Sequence, residues 1–249
     1  MEYTLRAGTA PLKQRGFLDR NALKYIVIVA MLTDHIAEMF SAYLDPNVYS
    51  IMRFIGRLTG PTMAFFLGEG AKYTRDIAKY QKRLGIFALI SWFPFIFAGI
   101  GPQKLLETPS LFLMQSVIYT LFLGVTAIRV WDSTVYSKNM KITLIVVLCI
   151  ASLIGDWPIM DVLAPLFMYI YRDDKKKRYI AVGASFTPCI FVALSDGWFQ
   201  LGMLMVPLVI IFLYNGKGGK KSAFNKWFFY IFYPAHLLIL GIIKWVILA

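Results

Sequence analysis

Apolar runs recur along almost the whole chain, each closed by a charge cluster or by a Pro, Gly or Asp break. They lie near residues 22–42, 51–73, 84–101, 110–130, 140–155, 158–171, 179–195, 198–214 and 225–248. A helix needs about 20 mainly apolar residues to cross a bilayer, so the pattern predicts an all-α, polytopic transmembrane helical bundle of about nine spans. The run at 158–171 is short for a crossing and 140–155 ends in Gly155-Asp156-Trp157-Pro158, which leaves a tilted or re-entrant pair open over 140–171. Residues 1–21 read as an N-terminal segment and 22–249 as one transmembrane domain. No internal repeat of the inverted-transporter kind is visible.

Composition strengthens that reading. Of 249 residues 58% are hydrophobic and 16% charged, with mean hydropathy +0.61, against roughly 45–50% apolar and 25% charged in soluble domains. The chain still carries a net charge of +12, and the basic residues fall on alternate connections. Arg6, Lys13, Arg15, Arg20 and Lys24 open the chain; Lys72, Arg75, Lys79, Lys82 and Arg83 follow the second run; Arg129, Lys138 and Lys141 follow the fourth. Arg172, Lys175, Lys176, Lys177 and Arg178, then Lys217, Lys220, Lys221 and Lys226, complete 22 of the 26 basic residues. By the positive-inside rule the N-terminus is cytoplasmic and the C-terminus extracytoplasmic, an alternation that an even number of spans would break.

Several functions are disfavoured at once. Nucleic-acid binding wants basic residues gathered on one soluble face with stacking aromatics, whereas here they punctuate apolar runs. Cys149 and Cys189 lie singly inside such runs, without the spacing of a zinc site or redox pair, and read as core thiols; no metal site is expected. No cleavable signal peptide is expected either, because the first residues are polar and basic and no small-residue cleavage site follows.

Ionisable residues inside spans are costly and point to function. The first span carries Asp34, His35 and Glu38. His35 shares a helix face with Glu38, and so does Asp34, while Asp34 and His35 point about 100° apart. A carboxylate can thereby orient the imidazole. A rise of about 1.5 Å per residue puts His35 near or just beyond the midplane. In the second run Arg53 and Arg57 lie toward the outside, where Arg57 can meet Asp34, and Gly56-Arg57-Leu58-Thr59-Gly60-Pro61 breaks the helix. Glu69 sits between Gly68 and Gly70 near the inner end, within reach of Lys72 or Arg75. His236 lies mid-span at a depth similar to His35, after an aromatic belt of Trp227, Phe228, Phe229, Tyr230, Phe232 and Tyr233. Asp156 and Asp196 occupy two acidic-aromatic turns explained by ordinary turn chemistry.

Taken together, Ala22-Leu23-Lys24, Asp34-His35, Arg53-Phe54-Ile55-Gly56-Arg57 and Phe65-Phe66-Leu67-Gly68-Glu69-Gly70 with Tyr73-Thr74-Arg75 resemble the TraX family. Gly155-Asp156-Trp157, Tyr214-Asn215-Gly216-Lys217 and Phe232-Tyr233-Pro234-Ala235-His236-Leu237 extend the resemblance over nearly all of the chain after residue 20. Ala37 stands where the family pattern has Gly, and a role for Glu38 rests on helical spacing alone. The resemblance implies N-acetylation of a pilin amino terminus, kinship with polytopic acyltransferases that modify envelope glycans, acetyl-CoA or another acyl-CoA as donor, and a bacterial inner membrane.

Acyl transfer needs a base, a donor site and stabilisation of the oxyanion. On this reading His35 is the base, tuned by Asp34 or Glu38, and His236 or Arg57 polarises the acyl carbonyl. The donor phosphates would meet Lys24, Lys72, Tyr73, Arg75, Lys82 and Arg83 at the inner rim. No Gly-rich phosphate loop is read, so this binding would rest on side chains. The acceptor would be a peptide or pilin amine, or an envelope-glycan hydroxyl. A competing reading is a proton-coupled transporter with Asp34, His35, Glu38, Glu69 and His236 as a relay, and a third is a scaffold held by structural ion pairs.

Overall fold

The computed structural model of the protein describes residues 16–220 and 222–248, with Lys175 by its backbone alone. Arg6, Lys13, Arg15 and Lys221 of the basic clusters, and residues 1–15 of the N-terminal segment, lie outside the described residues. Twelve α-helices are described: α1 (Arg20–Met39), α2 (Pro46–Gly56), α3 (Thr59–Tyr73), α4 (Ile77–Ile100), α5 (Pro102–Glu107), α6 (Val117–Asp132), α7 (Lys138–Ala151), α8 (Met160–Ile170), α9 (Lys175–Phe186), α10 (Cys189–Asp196), α11 (Val206–Leu213) and α12 (Ala223–Ile242). Short 3₁₀ segments and a π turn after α12 fill the gaps, and among the described residues the only β pairings are two isolated bridges.

The polar residues between apolar runs do local work. Asp19 caps α1 through the Ala22 N–H at 2.8 Å, Asp45 caps α2 just before Pro46, and Asp76, Ser137, Asp174 and Ser222 cap α4, α7, α9 and α12. The first-turn N–H groups hold the Asp76 and Asp174 carboxyls below the usual carboxylate range.

Every apolar run contains helix. Among the described residues three helical stretches are long and apolar enough to cross a membrane: Ile77–Ile100, Lys176–Asp196 and Ala223–Ile247. The run at 51–73 is broken at Arg57-Leu58 into α2 and α3, as Gly56, Gly60 and Pro61 require. Over 140–171, α7 and α8 are separate helices joined by a 3₁₀ turn at Ser152–Ile154. With 11 residues, α8 is about 16 Å long.

One cluster of buried side chains joins α1, α4, α6 and α12, and others join α3 to α9 and α11 and to α6, α7 and α8. Large apolar side chains also point outward, among them Leu89 at 76% exposure, Phe93, Val147 and Phe191. Such a surface suits lipid and would drive association in water. The basic connections meet at one end of the bundle. Leu18 pairs with Tyr214, Lys72 Nζ bonds the Arg172 carbonyl (2.8 Å) and Asp173 (3.2 Å), and Tyr169 bonds Asp132 (3.0 Å).

Candidate functional site

Toward the end of α1 remote from the basic connections, α2 packs so closely that a Cβ on Gly56 would overlap the Asp34 carboxylate. Glycine there lets Arg53 of α2 and Arg57 just after it reach α1. Arg57 pairs with Asp34 Oδ2, and Arg53 Nη1 lies 3.1 Å from Asp34 Oδ1 and 2.9 Å from Glu38 Oε2. The outer faces of the guanidiniums lie against aromatic rings, Arg57 over Trp157 (5.2 Å) and Arg53 over Phe199 (5.5 Å). Asp34 is therefore committed to two cations, and neither it nor Glu38 bonds His35.

The imidazole's partner is instead the second histidine. His236 Nε2 lies 2.9 Å from His35 Nδ1, and His236 Nδ1 lies 2.8 Å from the Phe232 carbonyl oxygen. A carbonyl only accepts, so His236 Nδ1 carries the proton, its Nε2 is a lone pair, and His35 donates through Nδ1–H. The basic nitrogen left on His35 is Nε2. Phe232 stacks on the His236 ring at 4.9 Å. With both ring nitrogens engaged, His236 holds His35 and has no free N–H for an acyl oxygen.

His35 lines a cavity of about 70 Å³, together with Asp34, Thr59, Asp156, Trp157 and Tyr233. Arg57, the other residue considered for polarising the carbonyl, does not line it. Tyr233 packs edge-on to His35 at 6.2 Å, and its buried hydroxyl has no hydrogen-bond partner among the described residues. Asp156 and Trp157 enter from the turn before α8, where Trp157 (φ 59°) and Ile159 (φ 64°) take left-handed backbone conformations. A β-branched residue there is strained, and such strain gathers where a loop must present side chains to a site. The turn also presents Asp156 and Trp157 to the small cavity. Asp196 stays apart, bonded to Ser195 and Gln200.

At the basic end lies a cavity of about 650 Å³. Met63, Ile118, Leu121 and Phe229 line both cavities, so the two are adjacent and share these side chains as a common wall. Its cations are Arg20, Lys24, Lys220 and Lys226. Of the six residues expected to meet the donor, Lys24 lines this cavity; Lys72, Tyr73, Arg75, Lys82 and Arg83 do not. Arg83 lies behind the wall, 5.8 Å from the ring of Tyr80. Glu69 belongs to a separate buried cluster, bonded to Arg20 (2.9 Å) and the Tyr214 hydroxyl (2.6 Å) with Arg178 at 3.7 Å, and not to Lys72 or Arg75. The five residues of the relay are thus split between two places.

Sequence reasoning missed Tyr233, which it assigned to an interfacial belt. Only part of that stretch faces outward, because a helix side turned inward puts Phe229, Tyr230 and Tyr233 on the cavities. It also read Lys217 and Lys220 as topology and Gly216-Lys217 as part of the family resemblance, with no binding role, although a glycine-lysine run just before a helix was a visible signal.

The description "TraX protein" fits residues 19–244 as a family match. A protein of Dichelobacter nodosus named "Probable fimbrial assembly protein FimC, serogroup H1" is 34% identical over 230 residues, covering 88% of this chain and 92% of that protein. No solved structure matches. With its Asp34-His35, Gly56-Arg57, Gly155-Asp156-Trp157 and Pro234-Ala235-His236 segments converging on one buried site, and the family match running almost from end to end, the chain belongs to the TraX family.

Proposed function

We propose that the protein is a membrane-embedded acyltransferase that moves an acetyl or other acyl group from cytoplasmic acyl-CoA to an amine or hydroxyl at the far side of the bundle. The observation that carries this reading is the chain from the Phe232 carbonyl through His236 to His35, ending at a small cavity that adjoins the large basic one. A transferase needs two such adjoining spaces and a base with one committed tautomer. The apolar walls of the large cavity, with cations at its mouth, fit an acyl-CoA: phosphates outside, pantetheine and thioester within. Lys24 and His35 are 11 positions apart on α1, which corresponds to about 16 Å along the helix, a span that an extended pantetheine arm reaches.

In this scheme His35 Nε2 takes the proton of the attacking amine or hydroxyl while the new C–N or C–O bond forms. His236 holds the imidazole and receives charge through the Nδ1–H bond. The Tyr233 hydroxyl donates to the thioester oxygen as it becomes an oxyanion. When the C–S bond breaks, the proton on His35 returns to the departing sulfur, so the base is restored and the products are the acylated acceptor and the free thiol. Asp34, Arg53, Arg57 and Glu38 hold α1 against α2 and keep His35 in place.

The basic clusters support nine crossings with the N-terminus in the cytoplasm and the C-terminus outside, and the family resemblance supports a bacterial inner membrane. The fimbrial assembly relative and the activity implied by TraX favour a pilin-type amino terminus as acceptor, with an envelope glycan as the other class. Purified protein incubated with labelled acetyl-CoA and extracted envelope material tests the reading. A labelled peptide or glycan supports it; a folded preparation that labels nothing and does not bind CoA contradicts it.

A further inference from the structure

The scheme above moves a single proton. That suffices for a hydroxyl or a neutral amine, but a free amino terminus has a pKa of about 7.7–8.0 and arrives largely as an ammonium. Of the hydrogens on such a nitrogen, one stays in the amide, one follows the sulfur into the thiol, and one has to leave. His35 offers one basic nitrogen, so an ammonium acceptor needs a second base beside it.

Asp156 lines the same small cavity as His35, and its carboxylate makes no hydrogen bond or ion pair among the described residues. Asp34, the other acid of that cavity, is taken by Arg53 and Arg57. The charges that act on Asp156 are Arg53, Arg57, Asp34 and Glu38, and these balance one another because each arginine is paired with a carboxylate of α1. Behind it Asp161, buried in α8, accepts from the Thr120 hydroxyl at 3.0 Å and brings no cation. On the α12 side stands the Tyr233 hydroxyl, itself buried with no hydrogen-bond partner among the described residues. A carboxylate facing an apolar cavity inside a membrane bundle is costly until a cation meets it.

The turn that carries Asp156 is pinned from several sides. The Asp156 N–H donates to the Gln115 carbonyl (3.0 Å) and the Gln115 N–H to the Ile154 carbonyl (2.8 Å), a bridge just before α6. The Ser152 hydroxyl oxygen accepts the Ile159 N–H at 2.8 Å. Gly155 lies so close to α6 that a Cβ would stand 2.6 Å from Thr120 Cγ2. These contacts hold Trp157 and Ile159 in their left-handed conformations, and strain of that kind persists only where the surroundings fix it. The fold thus keeps a charged group at the cavity without giving it a partner of its own.

We propose that Asp156 is the acceptor-binding residue: its carboxylate receives a protonated primary amine in the small cavity and takes the proton that His35 cannot, so the site selects an amine over a hydroxyl. The inference rests on the acyltransferase reading and names the acceptor chemistry that the site selects. One ammonium proton passes to Asp156 and leaves a neutral amine, whose lone pair attacks the thioester carbon. His35 Nε2 takes the second proton as the C–N bond forms and returns it to the sulfur as the C–S bond breaks. Asp156 then gives its proton to water, so each amide made releases one proton, whereas an ester would release none.

The full chain in phosphatidylcholine discs is given labelled acetyl-CoA and envelope extract, and mild alkali, which cleaves esters, sorts the label into ester and amide. Amide is expected to dominate. At about pH 7 Asp156→Asn is expected to form amide about 10²–10³ more slowly, to bind CoA as wild type does, and to unfold no earlier, because the lost charge had no partner. Asp156→Glu is expected to recover about tenfold or more of that loss. At about pH 9 the acceptor arrives neutral, and the gap between Asp156→Asn and wild type is expected to close to below about tenfold. If wild type forms mainly ester, or Asp156→Asn stays within about fivefold of wild type at the lower pH, the role of Asp156 is overturned and the acyltransferase reading stands. An Asp156→Asn chain that fails to fold, or a loss that is equal at both pH values and not recovered by glutamate, makes the residue structural and also overturns it. Wild type that forms neither product and binds no CoA overturns the reading beneath it.

Discussion

Replacing His236 separates a positioning role from a packing role. Its Nε2 accepts the His35 Nδ1–H at 2.9 Å, and its own Nδ1–H is spent on Phe232 at 2.8 Å. His236→Leu removes the acceptor but fills most of the space, so the buried Nδ1–H of His35 is left unpaired at a cost of about 1–3 kcal/mol. The imidazole is then free to turn or to switch tautomer, which withdraws Nε2 from the small cavity. Loss of a positioned base lowers rate by about 10²–10⁴, and His236→Leu is expected in that range. His236→Gln places an amide oxygen near the lost Nε2, restores an acceptor for Nδ1–H, and is expected to recover about tenfold or more of the rate. Single-turnover transfer from labelled acetyl-CoA, with thermal unfolding of the same preparations, reads both quantities. His236→Leu within about fivefold of wild type, or Gln no faster than Leu at equal stability, would refute the tautomer argument.

Other substitutions test neighbouring parts. Tyr233→Phe removes a buried hydroxyl with no hydrogen-bond partner among the described residues, so unfolding should be unchanged or slightly later while kcat falls by about 10²–10³; unchanged kcat would take Tyr233 out of the mechanism. Asp34→Ala strips the partner from Arg57 and from one contact of Arg53 and should cost about 3–5 kcal/mol of stability, seen as lost folded yield or earlier unfolding; normal stability would show that α1 and α2 are held by other contacts. A thiol placed within 172–178 should react with impermeant reagent only from the cytoplasmic side, and labelling from outside would overturn the orientation.

Much of the site was legible because it lies within single helices. Spacing along α1 put Asp34 and Glu38 on one face, and both do meet Arg53; the break at residues 56–61 appears where glycine and proline predicted it. The partner of His35 was not legible. It lies 201 positions away, and which faces of α1 and α12 meet depends on their crossing geometry, not on spacing within either. For the same reason Glu69 was matched to Lys72 and Arg75, three and six positions on, whereas its partners arrive from α1, α9 and the end of α11. The donor residues were sought in one basic cluster, but the mouth of the cavity draws cations from both ends of the chain. Tyr233 was hidden by its neighbours, since aromatic residues beside a span look alike in sequence whether they face lipid or a cavity.

The claim that His35 is the base of an acyl transfer is tested most directly by His35→Ala. Reconstituted wild type and variant are compared in one single-turnover experiment with labelled acetyl-CoA and the acceptor fraction, alongside CoA binding and unfolding. The base is used only in the chemical step, so the variant should fold and bind CoA as wild type does while its rate falls by about 10²–10⁴. A folded, CoA-binding variant that transfers within about fivefold of wild type would contradict the account.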